Sequence, residues 1–181
     1  MDRRQLKTRR AILKAFRGLL EKKRYDRITV QEIIDAADVG RSTFYAHFEA
    51  RELLLDELCK ELFYHIFQYD PCPYEDKDDN LESKLSHTLW HIREERDNIS
   101  AVLVGDSGEM FMSYFKEHSR EVFETFISKD MYEVPRDFVL NHLVGSFAET
   151  VKWWINEGMK TPPETVAHYF LSMTEKHKYN N

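Results

Sequence analysis

The stretch of residues 28–48, ITVQEIIDAADVGRSTFYAHF, decides the fold. Thr29 and Glu32 stand three residues apart, which is the spacing of a capping box at the start of a helix. From there to Ala37, apolar residues recur with the period of one helical face. The next three residues, 38–40, leave room only for a tight turn. This part of the stretch therefore predicts a short helix followed by a turn.

A second short helix is predicted from Arg41 to His47, with Phe44 and Phe48 facing back toward the first. An amphipathic segment, Arg3–Lys23, precedes both and predicts a longer supporting helix. Three helices in this order, the last two joined by a tight turn, form a helix-turn-helix. The last of them, which we call the recognition helix, enters the major groove of DNA with its N-terminal residues toward the bases. Its candidates for base readout are Arg41, Ser42 and Thr43.

The rest of the chain also favours helices. Apolar residues make up 42% of the 181 residues, enough for a packed core, and only 6 Gly and 5 Pro interrupt the chain. We predict an all-α fold of about nine helices, with a helix-turn-helix DNA-binding domain at 1–51 and a second helical domain at 52–181. The further predicted helices are Glu52–Tyr69, Leu81–Arg96, Asn98–Val104, Glu109–Ser128, Pro135–Glu157 and Pro163–Lys176.

Charge is distributed unevenly between these two parts. Residues 1–51 hold 13 Lys and Arg against 7 Asp and Glu, a net charge of +6, whereas residues 52–181 hold 13 against 25, a net charge of −12. A basic head meets a polyanion such as nucleic acid, and an acidic body is repelled by it. The same charges would also suit an ordinary solvated surface, so the asymmetry supports DNA binding without requiring it.

The chain has no apolar run of the length that a membrane span needs and no secretory signal at its N-terminus. We therefore expect a cytoplasmic protein that does not insert into membranes. The two cysteines, Cys59 and Cys72, are too few for a disulfide scaffold and do not form a metal-binding pair, so we expect reduced thiols.

Residues 28–48 resemble the DNA-binding region of the TetR family of bacterial transcription regulators at almost every position. The segment Val151–Met159, followed by Pro162–Glu164, is similar to the ending of a TetR subgroup that includes regulators of dihydroxyacetone kinase operons. Two positions depart from the family pattern. Asp38 stands where Gly is common, and it can adopt the left-handed conformation at a modest cost. Gly40 stands where a Ser or Thr cap is common, so the recognition helix lacks that side-chain cap.

The resemblance implies further contacts with DNA. Gln31 matches a family position that can reach a base. Four residues match positions that contact the phosphate backbone in the family, where they fix the orientation of the protein without reading sequence. These predicted phosphate contacts are Thr29, Tyr45, His47 and Arg51.

The resemblance also implies a homodimer that binds a near-palindromic operator, in which the last two helices of each chain form a four-helix bundle. The apolar stripes on these helices would equally suit the core of a single chain. The predicted interface residues are Leu140, Val144, Phe147, Val151, Trp154, Tyr169, Phe170 and Met173.

Family members are usually repressors that a small molecule controls from a site among the central helices, although some respond to a protein partner instead. The acidic body favours a neutral or cationic effector. An aromatic residue at helical spacing is more often part of a core than of a binding site. The candidates for such a site are Tyr64, Phe67, Trp90, Phe111, Phe115 and Trp153.

Two other functions compete with this prediction. His87 and His91 lie four residues apart on one helical face, a spacing that can bind a metal, with Glu94 or Glu95 close by. The sequence contains no HExxH, no phosphate-binding Gly loop and no GxSxG, so we predict no enzyme, no metal and no cofactor. The second alternative is a helical protein-interaction module whose helix-turn-helix has lost specific DNA binding.

Overall fold

The computed structural model describes residues 3–67, 79–103, 106–129 and 131–174. In these residues the chain forms nine α-helices, one 3-10 helix at Tyr25–Arg27 and no strand. The prediction of an all-α fold is confirmed. The helices are α1 (Arg3–Leu20), α2 (Val30–Ala37), α3 (Arg41–His47), α4 (Arg51–Phe67), α5 (Leu81–Glu94), α6 (Arg96–Val102), α7 (Asp106–Phe126), α8 (Arg136–Asn156) and α9 (Pro163–Thr174).

Helix α7 differs from its prediction because it begins at Asp106 rather than Glu109. Its first turn packs closely against the preceding segment. The Ser107 hydroxyl donates to the carbonyl oxygen of Val102 at 2.6 Å. A Cβ atom on Gly108 would lie 2.6 Å from the carbonyl oxygen of Leu103, so this contact requires glycine. None of the described helices has the length and apolar character needed to cross a membrane.

The chain divides into two compact units. The first comprises Met1–Tyr64 and Glu95–Met112, and the second comprises His65–Glu94 and Ser113–Asn181. The first unit therefore contains the whole helix-turn-helix together with α6. The predicted division at residue 52 concerns function rather than packing and stays a prediction.

Large apolar side chains form the core of the first unit. Phe16 of α1 and Phe44 of α3 are fully buried, and so is Phe48, which follows α3. Cys59 of α4 is also buried and free of any disulfide. Burial, together with the nearby carboxylate of Asp56, raises the pKa of the Cys59 thiol to about 12. Cys72 lies outside the described residues.

Four phenylalanine rings form the centre of the second unit. Phe147 of α8 lies between the other three, with ring centroids 5.5 Å from Phe115, 5.9 Å from Phe123 and 5.1 Å from Phe170. Trp154 is fully buried, and its indole N–H donates to the carbonyl oxygen of Thr161 at 2.8 Å. This bond holds the connection between α8 and α9 against α8.

Candidate nucleic-acid interface

The start of α2 carries the predicted capping box. The hydroxyl oxygen of Thr29 accepts a hydrogen bond from the backbone N–H of Glu32 at 3.3 Å, and the carboxylate of Glu32 accepts from the backbone N–H of Thr29 at 2.9 Å. Lys23 forms an ion pair with the same carboxylate. Lys23 and Thr29 together lower the pKa of Glu32 to about 2. The ionised form of Glu32 therefore stabilises the entrance to the helix-turn-helix.

The turn between α2 and α3 depends on Asp38. Its backbone lies in the left-handed region with φ 51° and ψ 50°, as the sequence predicted. Its N–H donates to the end of α2, and the N–H of Val39 donates to the carbonyl oxygen of Ile34 at 3.2 Å. These bonds satisfy carbonyl groups that a helix end otherwise leaves unpaired. The turn therefore forms without glycine, at the cost of a strained Asp38.

Recognition helix α3 presents one apolar and one polar face. Phe44 is fully buried, whereas Arg41, Ser42 and Thr43 are exposed. Gly40 is the N-cap and provides no side-chain cap, as predicted. The guanidinium of Arg41 lies 5.9 Å from the ring centroid of Tyr45, which is itself 42% exposed. The three candidates for base readout thus lie together on the exposed N-terminal part of the helix.

The remaining predicted DNA contacts differ in their accessibility. Gln31 is exposed, but its side-chain amide donates to Asp35 on the same helix at 2.8 Å. The Thr29 hydroxyl takes part in the capping box and also donates to the Glu32 carboxylate at 2.9 Å. His47 is half-buried at the end of α3. Gln31 and Thr29 must therefore exchange or share a hydrogen bond in order to contact DNA.

Arg51 binds the protein itself. Its Nη1 group donates to the carbonyl oxygen of Ile28 at 2.6 Å and approaches that of Tyr25 at 3.4 Å. The guanidinium also lies 4.3 Å from the ring centroid of Tyr25. Burial raises the pKa of Tyr25 against the opposing effect of Arg51. Arg51 thus anchors the segment that leads into α2, and its predicted phosphate contact stays a prediction.

A group of cations on α1 was not among the predicted contacts. Their side chains are exposed and form no ion pair with the described residues. The nearby Arg9 donates to the carbonyl oxygen of His47, so this end of α1 lies beside the end of α3. The signal was present in the run RRQLKTRR at 3–10. We call this group the basic face of α1, and it consists of Arg3, Arg4, Lys7 and Arg10.

The predicted effector-site residues occupy very different positions. Tyr64 is 62% exposed and Trp153 is 48% exposed. Phe111 and Phe115 are fully buried, and their rings pack against Phe63 and Phe147, respectively. These two belong to the cores of their units.

Among the other candidates, Trp90 is half-buried and its ring contacts His91. The side chain of Phe67 lies outside the described part of the chain. The effector site therefore stays a prediction.

The predicted dimer-interface residues differ in their exposure, and the interface stays a prediction. Leu140, Phe147, Val151 and Trp154 are at most 1% exposed within a single chain, because this face of α8 packs in the core of its own unit. Val144 and Phe170 are also buried. Within one chain, these six side chains contribute mainly to the core, although Phe170 also lines a surface groove between α8 and α9. Of the predicted set, only Tyr169 and Met173 are exposed, at 53% and 78%.

The opposite face of α8 is the accessible one. Trp153, Tyr169 and Met173 line a surface groove of about 840 Å³ between α8 and α9. Gly145 also lines this groove, and a Cβ atom there would meet no atom of the chain within 4 Å. Phe138, one turn from His142 on the same helix, is 64% exposed. These residues of α8 therefore recur with the period of one helical face, and that face is accessible.

His87 and His91 are buried and contact each other, with Nε2 atoms 3.1 Å apart. Within the described residues, no group of three or more His, Cys, Asp or Glu side chains is arranged to hold a metal ion. The pair therefore lacks a third protein ligand in this part of the chain.

A helix-turn-helix with an exposed recognition helix, joined to a larger helical region, defines a class of DNA-binding regulators. Two family models match the chain: "Bacterial regulatory proteins, tetR family" over residues 12–58 and "Transcriptional regulator C-terminal region" over residues 79–176. The second covers more than half of the chain. The protein therefore belongs to the TetR family of bacterial transcriptional regulators, as the resemblance at 28–48 predicted.

Known proteins support this assignment. A TetR transcriptional regulator from Streptococcus agalactiae 2603V is 36% identical, with a TM-score of 0.78 and 97% of each chain covered. The dihydroxyacetone kinase operon activator DhaS shares the fold, with 20% identity, a TM-score of 0.65 and coverage of 92% of this chain and 93% of that one. An uncharacterised HTH-type regulator of Bacillus subtilis (strain 168), YxbF, is 26% identical over 99% of this chain. The chain spans 47% of the length of YxbF.

Proposed function

We propose that this TetR-family regulator binds a near-palindromic operator in double-stranded DNA as a homodimer and represses transcription under the control of a small-molecule effector. The observation that carries the proposal is the polarity of α3, which buries Phe44 and exposes Arg41, Ser42 and Thr43. A helix anchored in this way can enter the major groove without disturbing its own packing. The proposed place of action is the bacterial cytoplasm, where the operator DNA lies.

Arg41 has the principal role in base readout. Its guanidinium can bond both O6 and N7 of guanine, and a good bidentate pair contributes about 1–3 kcal/mol of discrimination. Ser42 and Thr43 supply shorter donors and acceptors next to it. Gln31 contributes only after it releases Asp35.

Phosphate contacts come from the surroundings of α3. Tyr45 and His47 lie on the helix itself, and Thr29 lies at the N-terminus of α2, where the helix dipole favours an anion. The basic face of α1 adds four exposed cations near the end of α3. These groups hold the recognition helix in register and give the binding its salt dependence.

The experiment is a titration of the purified protein with the promoter DNA of its own operon, over a series of salt concentrations. We expect tight, specific binding with a steep salt slope. Arg41→Ala should reduce discrimination between operator and random DNA. Removing the basic face of α1 should weaken binding to both and lower the salt slope by about one for each lost contact.

Lys160→Ala, which removes an exposed cation of the second unit, is the matched control and should change neither quantity. Weak binding of the wild type without sequence preference would refute the proposal. Such a result would support the alternative, a helical protein-interaction module.

For the homodimer, we propose the exposed face of α8 and α9 that Trp153, Tyr169, Met173 and Phe138 form. Large exposed apolar side chains on one surface indicate a protein interface. Gly145 lies among them and permits close approach of two helices. A two-fold dimer of this kind presents two recognition helices to successive half-sites of the operator.

Gly145→Leu tests this interface. A Cβ atom at this position meets no atom of the chain within 4 Å and the site lines an open groove, so we expect an unchanged circular dichroism spectrum. Sedimentation velocity should show a higher dimer dissociation constant, and operator binding should weaken in parallel. An unchanged dimer would exclude this face, and a monomeric wild type would exclude the homodimer.

The effector is proposed to be a neutral or cationic small molecule, because residues 52–181 carry a net charge of −12. The test is a screen of such compounds for ligands that raise the melting temperature and change operator affinity. Trp90→Leu should remove the response if Trp90 lines the site. If no compound acts while a cellular protein does, the effector is a protein partner.

The direction of regulation needs a separate test, because the similar protein DhaS is named as an operon activator. Transcription from the operator should be measured with and without the protein, and activation would contradict the proposed repression.

A further inference from the structure

Recognition helix α3 depends on its neighbours for its position. It has seven residues and no side-chain cap at Gly40, and isolated helices of this length are not stable in water. Its apolar anchors are Phe44 within the helix and Phe48 directly after it. Groups that hold its C-terminal end therefore determine the angle at which its outer face is presented.

Arg9 of α1 is such a group. Its Nη1 group donates to the carbonyl oxygen of His47, the last residue of α3, at 3.1 Å. The guanidinium also lies 4.3 Å from the ring centroid of Phe48. A cation at this position interacts favourably with the negative end of the helix dipole. Arg9 thus contacts both the last carbonyl group of α3 and the first side chain beyond it.

Glu57 of α4 fixes the plane of the same guanidinium. Its two carboxylate oxygens accept from Nε of Arg9 at 3.3 Å and pair with Nη2 at 2.9 Å. The side chains of Arg9 and Glu57 are 24% and 31% exposed. Every nitrogen of the guanidinium therefore has a protein partner, in the bidentate geometry that arginine forms and lysine does not.

We propose that Arg9 is a positioning residue for operator recognition: it holds the C-terminal end of α3 at the angle that base readout requires, and Glu57 orients it. The inference rests on the proposed DNA binding. Two other roles are compatible with a cation at this position: a direct phosphate contact, or a simple ion pair that stabilises the fold. The three roles predict different results for the same set of variants.

The experiment compares Arg9→Lys, the exchanged pair Arg9→Glu with Glu57→Arg, and the control Lys14→Met, which removes an exposed cation from the same helix. For each, operator and random-DNA affinities are measured over a salt series. Hydrogen exchange of the backbone amides of α3 is measured in the free protein. Thermal unfolding reports whether each variant folds.

Arg9→Lys should lower operator affinity about tenfold, which corresponds to about 1.4 kcal/mol. Its affinity for random DNA and its salt slope should stay at the wild-type values. Exchange should accelerate at Tyr45–Phe48 more than in α2. The exchanged pair should keep the thermal stability of the wild type, because it retains an ion pair. It should lose operator affinity, because the bond to His47 and the contact with Phe48 are absent. Lys14→Met should retain discrimination and exchange rates.

Recovery of operator affinity in the exchanged pair would overturn the proposal in favour of a simple ion pair. A reduced salt slope in Arg9→Lys would overturn it in favour of a phosphate contact. Unchanged operator affinity would overturn it altogether. If the wild type binds no operator, the proposed function itself fails, and faster exchange in Arg9→Lys would then show only that Arg9 stabilises α3.

Discussion

Helices α3 and α8 are stabilised in different ways. Helix α3 has seven residues and buries one of them, Phe44, and Arg9 of α1 donates to the carbonyl oxygen of its last residue. Helix α8 has 21 residues and buries eight, so its own packing holds it. In both, one face is anchored and the other is left exposed. The comparison suggests that each exposed face serves a partner, DNA for α3 and a second chain for α8.

The largest expected effect comes from comparing a substitution on the buried face of α8 with one on its exposed face. Phe147→Ala removes a ring that contacts three others, and we expect a loss of about 3–5 kcal/mol of unfolding free energy. Trp153→Ala, on the exposed face, should leave the circular dichroism spectrum unchanged but raise the dimer dissociation constant at least about tenfold. Urea unfolding and sedimentation velocity measure these effects. Equal effects of the two variants on both quantities would contradict the assignment of the faces.

The next comparison is between two arginines of the helix-turn-helix: Arg51, which binds backbone carbonyl groups, and Arg41, the proposed base-reading residue. Arg51→Met removes the bonds to the carbonyl oxygens of Ile28 and Tyr25, and we expect it to cost about 1.5–3 kcal/mol in urea unfolding. Arg41→Ala should change stability by less than about 0.5 kcal/mol, because its side chain is exposed. If Arg51 also contacts a phosphate, Arg51→Lys should preserve the salt slope of DNA binding. A stable Arg51→Met would disprove the anchoring role.

A pH effect is expected at the entrance to α2. The folded-state pKa of Glu32, about 2, lies below its ordinary value of 4.5. Ionised Glu32 therefore stabilises the fold above about pH 4.5, and this contribution is lost as the pH falls toward 2. The urea midpoints of the wild type and Glu32→Gln should differ at about pH 6, and the difference should shrink below about pH 4.5 as the pH falls toward about 2. A constant difference would mean that the carboxylate charge is not involved.

The smallest effect is expected in the turn. Asp38 has a positive φ of 51°, a conformation that glycine adopts without strain. Asp38→Gly should therefore raise the unfolding free energy by a few tenths to about 1 kcal/mol, whereas Asp38→Ala should lower it. Thermal unfolding of the three proteins measures the order. A loss of stability in Asp38→Gly would show that the aspartate side chain stabilises the turn.

Features that depend on residues close in sequence were predictable. The capping box joins Thr29 to Glu32, and the turn depends on the backbone of Asp38, so both follow from local spacing. The exposed position of Ser42 follows from the burial of Phe44, because residues two apart lie on nearly opposite sides of a helix. The helix-turn-helix and the family resemblance at 28–48 rest on this local information.

Features that depend on distant residues were not predictable. The contact of Arg51 with Ile28 joins positions 23 residues apart, and that of Arg9 with His47 joins positions 38 apart. Apolar periodicity on α8 located a stripe but could not distinguish the core of one chain from an interface between two. Trp153 and Trp154 are adjacent, yet one is 48% exposed and the other fully buried.

The rate at which the Cys59 thiol is alkylated can report how often the first unit opens locally. Burial raises the pKa of this thiol to about 12, so the reactive thiolate is scarce at neutral pH and an alkylating reagent reacts slowly while the residue stays buried. In a Cys72→Ser background, the labelling rate at this thiol measures how often its surroundings separate. Adding operator DNA should slow that labelling if association suppresses these fluctuations.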